Sequence, residues 1–168
     1  MQFISSRTKL TNEEIIEQII LEQYNQYYRL AYSYVKNEAD ACDIVQNGAY
    51  KALKSSHTLQ KQEYAKTWVY RIMLNEIFAY LKKPKHESYD YLQETKGYEA
   101  QYAEDNDRNI DLKNALDSLP EEEKAIITMK YFEDKKLEEI AEILEENIST
   151  VKSKLYRSMK KLKLCLAQ

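Results

Sequence analysis

Apolar residues recur at intervals of three and four through the first half of the chain, which is the period of an amphipathic helix. Three such stripes predict helices over 11–35, 37–54 and 63–83. Thr11 and Glu14 have the spacing of a capping box, and Asn37 is a suitable N-cap for the second helix. Pro84 ends the third helix, because proline disfavours helical backbone at the preceding residue. We expect these helices to pack as one unit, with the aperiodic polar stretch 55–62 as a loop.

The helical period returns near the end of the chain, where it predicts four shorter helices, at about 110–118, 121–131, 136–144 and 149–166. The last two carry apolar residues at the spacing of short helices that cross at a tight turn: Ile140, Ala141, Leu144, Val151 and Leu155. Ser149 and Thr150 can cap the second of this pair. The pattern is typical of a helix-turn-helix, whose second helix enters the major groove of DNA.

Residues that form turns are scarce, since the 168 residues include only two glycines and two prolines. An all-α fold is therefore expected. Between 87 and 111, eight acidic residues are opposed by two basic ones, which predicts a linker. We therefore expect two small helical domains, over 11–86 and 110–168, joined by an acidic linker at 87–109.

The charge distribution changes abruptly at the predicted turn. Residues 121–147 contain ten acidic and four basic residues, whereas 148–168 contain six basic and no acidic ones. A positive helix beside a surface that repels phosphate would orient this domain on DNA. A lysine-rich helix that only keeps the protein in solution is the alternative. The capped turn and the position of Ala141 favour DNA binding.

Cysteine and histidine indicate no metal or catalytic site. Cys42 and Cys165 stand apart from any ligand spacing, which argues against zinc and against a disulfide framework. His57 and His86 have no nucleophile or ligand set near them, which argues against an enzyme, and no cofactor is expected. The start MQFISSRTKL has no signal-sequence pattern, and no run of about 18 apolar residues follows. We expect a cytoplasmic protein that does not insert into a membrane.

The fourth region of bacterial sigma-70-type factors resembles two stretches of this chain, LDSLPEEEKAIITMKYFEDKKLEEIAEIL and STVKSKLYRSMKKL. Their second region resembles DACDIVQNGAYKAL and KTWVYRIMLNEI. A short chain that keeps only these two regions is similar to the extracytoplasmic-function (ECF) group of sigma factors. The two motif sets occur in the right order and together cover most of the chain.

The resemblance implies a bacterial subunit that binds core RNA polymerase, at the clamp helices of the largest subunit and at the flap, and directs it to particular promoters. Such a subunit is not an enzyme. The resemblance also implies a role in a stress or envelope response. It further implies a dedicated anti-sigma factor, often anchored in the membrane, that occludes both domains until a signal arrives.

The same resemblance places four residues of the second predicted helix against the clamp helices: Asp40, Asp43, Gln46 and Asn47. Their chemistry agrees, because side chains on one helical face can bind arginines of a partner helix. The alternative is a merely solvated face. The chain departs from the family here: Cys42 and Asn47 stand where acids are usual, and Ala49 where an aromatic residue is usual.

Basic and aromatic residues of the 55–66 loop and the third helix resemble the part that opens and reads the minus-ten element: Lys61, Tyr64, Lys66, Trp68, Arg71, Asn75, Lys82, Lys83 and Lys85. Such interleaving suits single-stranded DNA, and the loop would form the pocket for a flipped base. For Trp68 a core position is the favoured interpretation, because of its helical spacing with Ile72. Ala79 replaces an aspartate that is usual in the family.

The resemblance also places residues of the last helix on the minus-thirty-five element: Ser149, Thr150, Lys152, Ser153, Lys154, Arg157, Lys160 and Lys161. A helix start with hydroxyl groups suits phosphate, and long cations one turn later reach base edges. Lys154 stands where arginine is usual, which forfeits bidentate contact. Glu145 stands where a turn glycine is common.

Three other classes of function stay open at this point. A DNA-binding regulator that is not a polymerase subunit would use only the last domain and would need neither Asp40 and Asp43 nor the aromatic and basic loop. A scaffold that has lost DNA binding is suggested by the departures from the family at 42, 47 and 49. An enzyme is the weakest alternative.

Overall fold

The computed structural model describes residues 8–84 and 106–167, and the regular structure of these residues is helical. In chain order the helices are α1 (Asn12–Val35), α2 (Glu38–Lys54), α3 (Ala65–Lys82), α4 (Asn106–Asp117), α5 (Glu121–Ile127), α6 (Leu137–Leu144) and α7 (Ile148–Leu166). The all-α prediction is confirmed. The chain folds into two compact units, of which one ends at Lys82 and the other begins at Lys83. Most of the predicted linker, with Lys85 and His86, lies outside the described residues.

The first unit is a bundle of α1, α2 and α3, which all contact one another. Its helix starts follow the sequence. The backbone N–H of Glu14 donates to Thr11 Oγ1 at 3.2 Å while Thr11 N–H donates to Glu14 Oε2 at 2.8 Å, which is the predicted capping box. The predicted cap at Asn37 is also present, since its Oδ1 accepts from the N–H of Asp40 at 2.9 Å.

Apolar residues from all three helices fill the core of this bundle, and several are almost fully buried: Ile16, Val45, Val69, Met73, Leu74 and Ile77. Gly48 marks a close approach of α2 to α3. A Cβ atom built on Gly48 would lie 2.5 Å from Sδ of Met73. Because Gly48 has no side chain, the side chain of Met73 in α3 can lie against α2 at this position.

The polar stretch between α2 and α3 is more ordered than its sequence predicts. It contains two 3-10 turns, Ser56–Thr58 and Gln62–Tyr64, and between them Leu59 is buried. The side-chain amide of Asn12 donates to the carbonyl groups of Ser56 and Leu59, at 3.0 and 2.9 Å. That of Gln62 donates to Asn12 Oδ1 at 3.0 Å. Two side-chain amides thus fasten the loop to the start of α1.

The second unit packs α7 against α4, α5 and α6. The helix predicted over 121–131 divides into two parts, because α5 ends at Ile127 and a π-helical turn follows from Thr128 to Phe132. Met129 stays buried within this turn, whereas Tyr131 and Phe132 are exposed. The sequence period did not predict the wider turn.

The helix-turn-helix is present in α6 and α7, and Ile140, Ala141 and Val151 are buried as the apolar spacing predicted. Glu145 takes the left-handed conformation, with φ 56° and ψ 41°. The N–H of Glu146 then donates to the carbonyl of Ala141 at 3.0 Å and closes the end of α6.

The predicted cap at Ser149 and Thr150 is wrong. The helix begins one residue earlier than expected, at Ile148, and Asn147 with its extended backbone (φ -68°, ψ 144°) is the N-cap residue. Asn147 makes no side-chain capping bond. Ser149 and Thr150 therefore lie inside the first turn of α7, where both are exposed.

Candidate nucleic-acid and partner interfaces

The outer face of α2 carries the residues predicted to bind polymerase. Asp43, Gln46 and Asn47 are exposed, because the opposite face of α2 is apolar and packs on α1 and α3. Tyr50 lies one turn beyond Gln46 on the same side and is 65% exposed. Tyr50 was not predicted from the sequence, although its spacing from Asp43 and Gln46 could have indicated it. Together these side chains form a polar surface with one aromatic group.

Asp40 differs from its predicted companions because it is half-buried and bonded within the bundle. It accepts a hydrogen bond from the hydroxyl of Tyr80 in α3. This bond, then burial and the negative charges of Asp40 and Asp43, raises the pKa of Tyr80 to about 12. Asp40 thus ties α2 to α3 at the edge of the exposed face.

The departures from the family pattern on α2 lie mostly away from its outer face. Cys42 and Ala49 are both half-buried, and a side-chain hydrogen bond joins Cys42 to Tyr24 of α1. Burial chiefly, and this contact with Cys42 in addition, raises the pKa of Tyr24 above its ordinary value. Only Asn47, of the three, is exposed beside Asp43 and Gln46.

The outer side of α3 brings most of the predicted minus-ten residues together. Trp68, Arg71, Asn75 and Lys82 follow one another at helical spacing, on the side opposite the buried Val69, Met73 and Ile77. Asn75 and Lys82 are exposed, and Trp68 and Arg71 are half-buried. Trp68 therefore lies between the two interpretations, because it is half-buried whereas its neighbours Val69 and Tyr70 are fully buried.

The remaining predicted minus-ten residues flank this face. Lys61 and Tyr64 lie in the fastened loop, where the Lys61 ammonium is 6.0 Å from the centroid of the Tyr64 ring. Tyr64 is 47% exposed. Lys66 is exposed in the first turn of α3, and Lys83 is exposed just beyond its end.

The basic residues of α7 fall into two sets. Lys152 and Lys160 are exposed and, within the described ranges, make no ion pair. Lys154, Arg157 and Lys161 instead pair with glutamates of the same unit, although Arg157 and Lys161 stay partly exposed and Arg157 lies one turn after Ser153. Ser149, Thr150 and Ser153 are exposed on the outer side with the first set.

Lys154 is the most enclosed of these cations, with 19% of its side chain exposed. Its ammonium lies 2.7 Å from Glu122 Oε2 and 2.5 Å from Glu146 Oε1. Burial alone would lower the pKa of Lys154, but the bonds to the two glutamates raise it above its ordinary value. This lysine therefore joins α5 and the helix-turn-helix turn to α7.

Arg157 and Lys161 share a single partner, the buried Glu123 of α5. Nη2 of Arg157 is 2.6 Å from Oε1 of Glu123, and Nζ of Lys161 is 3.2 Å from Oε2. The side chains of both cations are still about half exposed, 56% for Arg157 and 45% for Lys161. Both side chains are therefore held by Glu123 and still accessible to a partner.

Tyr156 is the most exposed large side chain of the outer surface of α7, at 76%. It lies one turn after Lys152 and one turn before Lys160. Tyr156 was not predicted from the sequence, although its position one turn from each of two lysines could have indicated it. An aromatic group in the middle of a basic helix face can contact a thymine methyl group or a sugar.

Within the described parts of the chain, no group of three histidine, cysteine or acidic residues could hold a metal ion. None of the described helices is long and apolar enough to cross a membrane.

Comparison with known proteins identifies the chain. Residues 19–87 match the model of Sigma-70 region 2, and residues 110–162 match that of Sigma-70, region 4. The RNA polymerase sigma factor SigV of Bacillus subtilis is 40% identical over 168 residues, with 96% of this chain and 97% of that protein covered. The ECF RNA polymerase sigma factor SigW of the same organism is 25% identical, with 94% and 91% covered.

The fold is also that of a solved sigma factor, RpoE of Bartonella quintana in complex with the anti-sigma factor NepR. The TM-score is 0.66 at 22% identity, with 90% of this chain and 96% of that chain covered. The chain belongs to the sigma-70 family of RNA polymerase sigma factors, in its extracytoplasmic-function group. It is a transcription initiation factor that binds core RNA polymerase and promoter DNA, and it is not an enzyme. The match to region 2 argues against a regulator that uses only the helix-turn-helix.

Proposed function

We propose that the outer face of α2 binds the clamp helices of the largest polymerase subunit through Asp43, Gln46 and Asn47. The supporting observation is that these residues are exposed on a helix whose other side is locked into an apolar core. Tyr50 extends the contact, since an exposed aromatic group can fill an apolar site on a partner. Asp40 contributes indirectly, because its bond to Tyr80 holds α2 on α3.

The minus-ten element is contacted by the outer side of α3 and by the fastened loop. Trp68 and Tyr64 offer aromatic surfaces for unpaired bases, and Arg71 and Asn75 offer hydrogen bonds beside them. Lys61, Lys66, Lys82 and Lys83 attract the phosphates. This assignment is supported by the position of Trp68, Arg71 and Asn75 on one face of α3. An organised loop also lowers the cost of ordering a binding pocket.

The minus-thirty-five element is contacted by the outer side of α7. Ser149, Thr150, Lys152, Ser153 and Tyr156 face the base edges, together with the exposed part of the Arg157 guanidinium, and Lys160 contacts the DNA backbone. We do not assign Lys154 to the contact with the minus-thirty-five element, although its sequence position indicated one, because Glu122 and Glu146 enclose its ammonium group. The second unit also binds the flap of the polymerase.

We further propose that the protein acts in the bacterial cytoplasm and is held inactive by an anti-sigma factor, which a stress or envelope signal removes. The solved complex of RpoE with NepR supports an inhibitor of this type for a protein with the same fold. Purification from uninduced cells should recover one inhibitor with the chain. Finding the chain free and active in those cells would contradict this part of the proposal.

Run-off transcription with purified core polymerase tests the central proposal. The chain should direct initiation from a defined subset of a genomic promoter library, with shared minus-ten and minus-thirty-five sequences. Failure to direct any initiation, with core enzyme that is active with another sigma factor, would count against it.

A further inference from the structure

Glu123 is a carboxylate in the core of the second unit, with only 3% of the residue exposed. Its Oε1 accepts a hydrogen bond from Nε of Arg157 at 2.7 Å, and Nη2 of the same guanidinium is 2.6 Å away. Its Oε2 accepts from Nζ of Lys161 at 3.2 Å. Both oxygens of one buried carboxylate are thus engaged by cations of α7.

Glu123 is held in its charged form at neutral pH. Burial alone would raise the pKa of its carboxyl, but the hydrogen bonds from Arg157 and Lys161 lower it below the ordinary value. A charge-assisted bond onto a fixed acceptor restricts the rotamers of Arg157. Nε and Nη2 are occupied by Glu123, which leaves the Nη1 donors of the 56% exposed side chain for another acceptor.

We propose that Glu123 is a positioning residue for promoter recognition, because it holds the guanidinium of Arg157 in one orientation toward the DNA. An arginine fixed in this way discriminates between base edges, whereas a mobile one is attracted to any phosphate. The proposal rests on the proposed function of α7 as the helix that contacts the minus-thirty-five element.

Loss of the charge at Glu123 has a distinctive expected effect. It releases Arg157 and Lys161 and removes one negative charge beside the DNA, so that attraction to duplex DNA of any sequence does not fall. Selectivity falls, because the released guanidinium no longer has a preferred geometry. A residue with only a structural role would lower specific and non-specific binding together.

The test uses core polymerase loaded with the full chain, on promoters mutated through the minus-thirty-five element, at two salt concentrations. Glu123→Gln should reduce discrimination at the affected base pair about tenfold. The salt dependence of binding should steepen by up to about one phosphate contact. Glu138→Gln is the matched control, since Glu138 is exposed on α6 and loses the same charge. Its sequence preference should equal that of the wild type.

A double-mutant cycle then separates Arg157 from the rest of the unit. In an Arg157→Ala background, Glu123→Gln should cause no further loss of preference, whereas in a Lys161→Ala background the loss should persist. Should Glu123→Gln unfold too readily to assemble, Glu123→Asp keeps the charge, shortens the arm and should lose part of the preference.

The proposal is overturned if the wild-type holoenzyme discriminates within the element and the Glu123 variant that assembles discriminates equally well. It is also overturned if the loss of preference is the same in the Arg157→Ala background. A wild-type holoenzyme with no preference in this element would instead overturn the proposed function of α7, and this inference with it.

Discussion

The two proposed contact helices, α2 and α7, differ in how much of their charge reaches the surface. On α2, Asp43 and its polar neighbours are exposed, whereas Asp40 and Lys51 are bonded to Tyr80 and Glu76 of α3. On α7, Lys154, Arg157 and Lys161 pair with glutamates of the same unit. A similar density of charge in the two sequences therefore produces two different surfaces.

The difference originates in the helices behind them. The buried face of α2 consists of Ala41, Ile44, Val45, Gly48 and Ala52. Its neighbours meet this face mainly with apolar residues, apart from Glu76, which pairs with Lys51. Within the described residues Asp43 makes no ion pair. Behind α7 lies α5, whose first turn is acidic and includes Glu122 and Glu123. Asp43 thus remains available to a partner, whereas three cations of α7 are paired within their own unit.

The largest effect is expected where the charge is free. Replacing Asp43 and Gln46 together by lysine should weaken binding of core polymerase about 100-fold, because like charges would then face the partner. The measurement is a binding titration with core enzyme. Glu17→Lys with Gln18→Lys, on exposed positions of α1, makes the same charge change and should leave binding intact. Equal binding by the α2 variant would show that this face is not the contact.

Where a charged side chain forms an ion pair within its own unit, a substitution should lower the free energy of unfolding. Lys154→Ala should destabilise the second unit by about 2 kcal/mol, because Glu122 and Glu146 lose a shared and largely enclosed partner. Lys152→Ala, on the exposed side of the same turn, should cost less than about 0.5 kcal/mol. Chemical denaturation of the full chain measures both. Equal costs would contradict the division of α7 into two sets.

Both units end a helix with a left-handed residue that is not glycine, Lys36 after α1 and Glu145 after α6. Since this conformation costs roughly 1 kcal/mol for a residue with a Cβ atom, Glu145→Gly should stabilise the second unit by about that amount. Glu142→Gly, within α6, should instead destabilise it by about 1 kcal/mol. A rise in the unfolding midpoint for the first variant and a fall for the second is the expected pair of results.

The bond between Tyr80 and Asp40 predicts a pH dependence of the first unit. The hydroxyl of folded Tyr80 has a pKa of about 12, above the ordinary value of 10.0. Its bond therefore stabilises the fold fully below pH 10.0, and this contribution disappears as the pH rises through about 12. Tyr80→Phe should be less stable than the wild type by about 1 kcal/mol at neutral pH.

The check on Tyr80 is denaturation of both proteins at a series of alkaline pH values. The difference between them should stay constant up to pH 10.0 and shrink beyond it. A difference that does not change over this range would exclude the hydrogen bond as its source.

The smallest expected effect is a difference in the salt dependence of promoter binding between exposed and paired cations of α7. Lys160→Ala should flatten the salt dependence of promoter binding by about one phosphate contact, which is about a threefold change in affinity between 50 and 200 mM salt. Arg157→Lys retains the charge and its attraction to Glu123, so its salt slope should stay near that of the wild type. Holoenzyme binding to one promoter at several salt concentrations measures both slopes.

Local signals in the sequence account for most of the fold. The capping box at Thr11, the cap at Asn37 and the apolar stripes place α1 and α2 within a residue of their observed bounds. The residues that form each of these signals lie within a few positions of one another, so the signals can be recognised in the sequence alone. They failed at the start of α7, where hydroxyl residues suggested a cap, and at the π turn after Ile127, which has no local signature here.

The residues of the candidate site were likewise predicted only in part. The spacing of Trp68, Arg71 and Asn75 places them on one side of α3, but the assignment of Trp68 to the core depended on which side faced the bundle. In the structure that side lies away from the centre of the bundle, with Trp68 and Arg71 half-buried and Asn75 exposed. Tyr50 and Tyr156 were overlooked because an aromatic residue at helical spacing is usually a core residue, and only exposure distinguishes the two cases.

Residue types at short spacing were enough to predict the helices, the division into two regions and the motifs that carry the family resemblance, because each of these is a local pattern. Which charges remain available to a partner depends on tertiary packing. Glu123 and Arg157 are 34 positions apart in the chain, and Glu122 and Lys154 are 32 apart. No periodicity links such pairs, since their contact depends on how α5 and α7 pack.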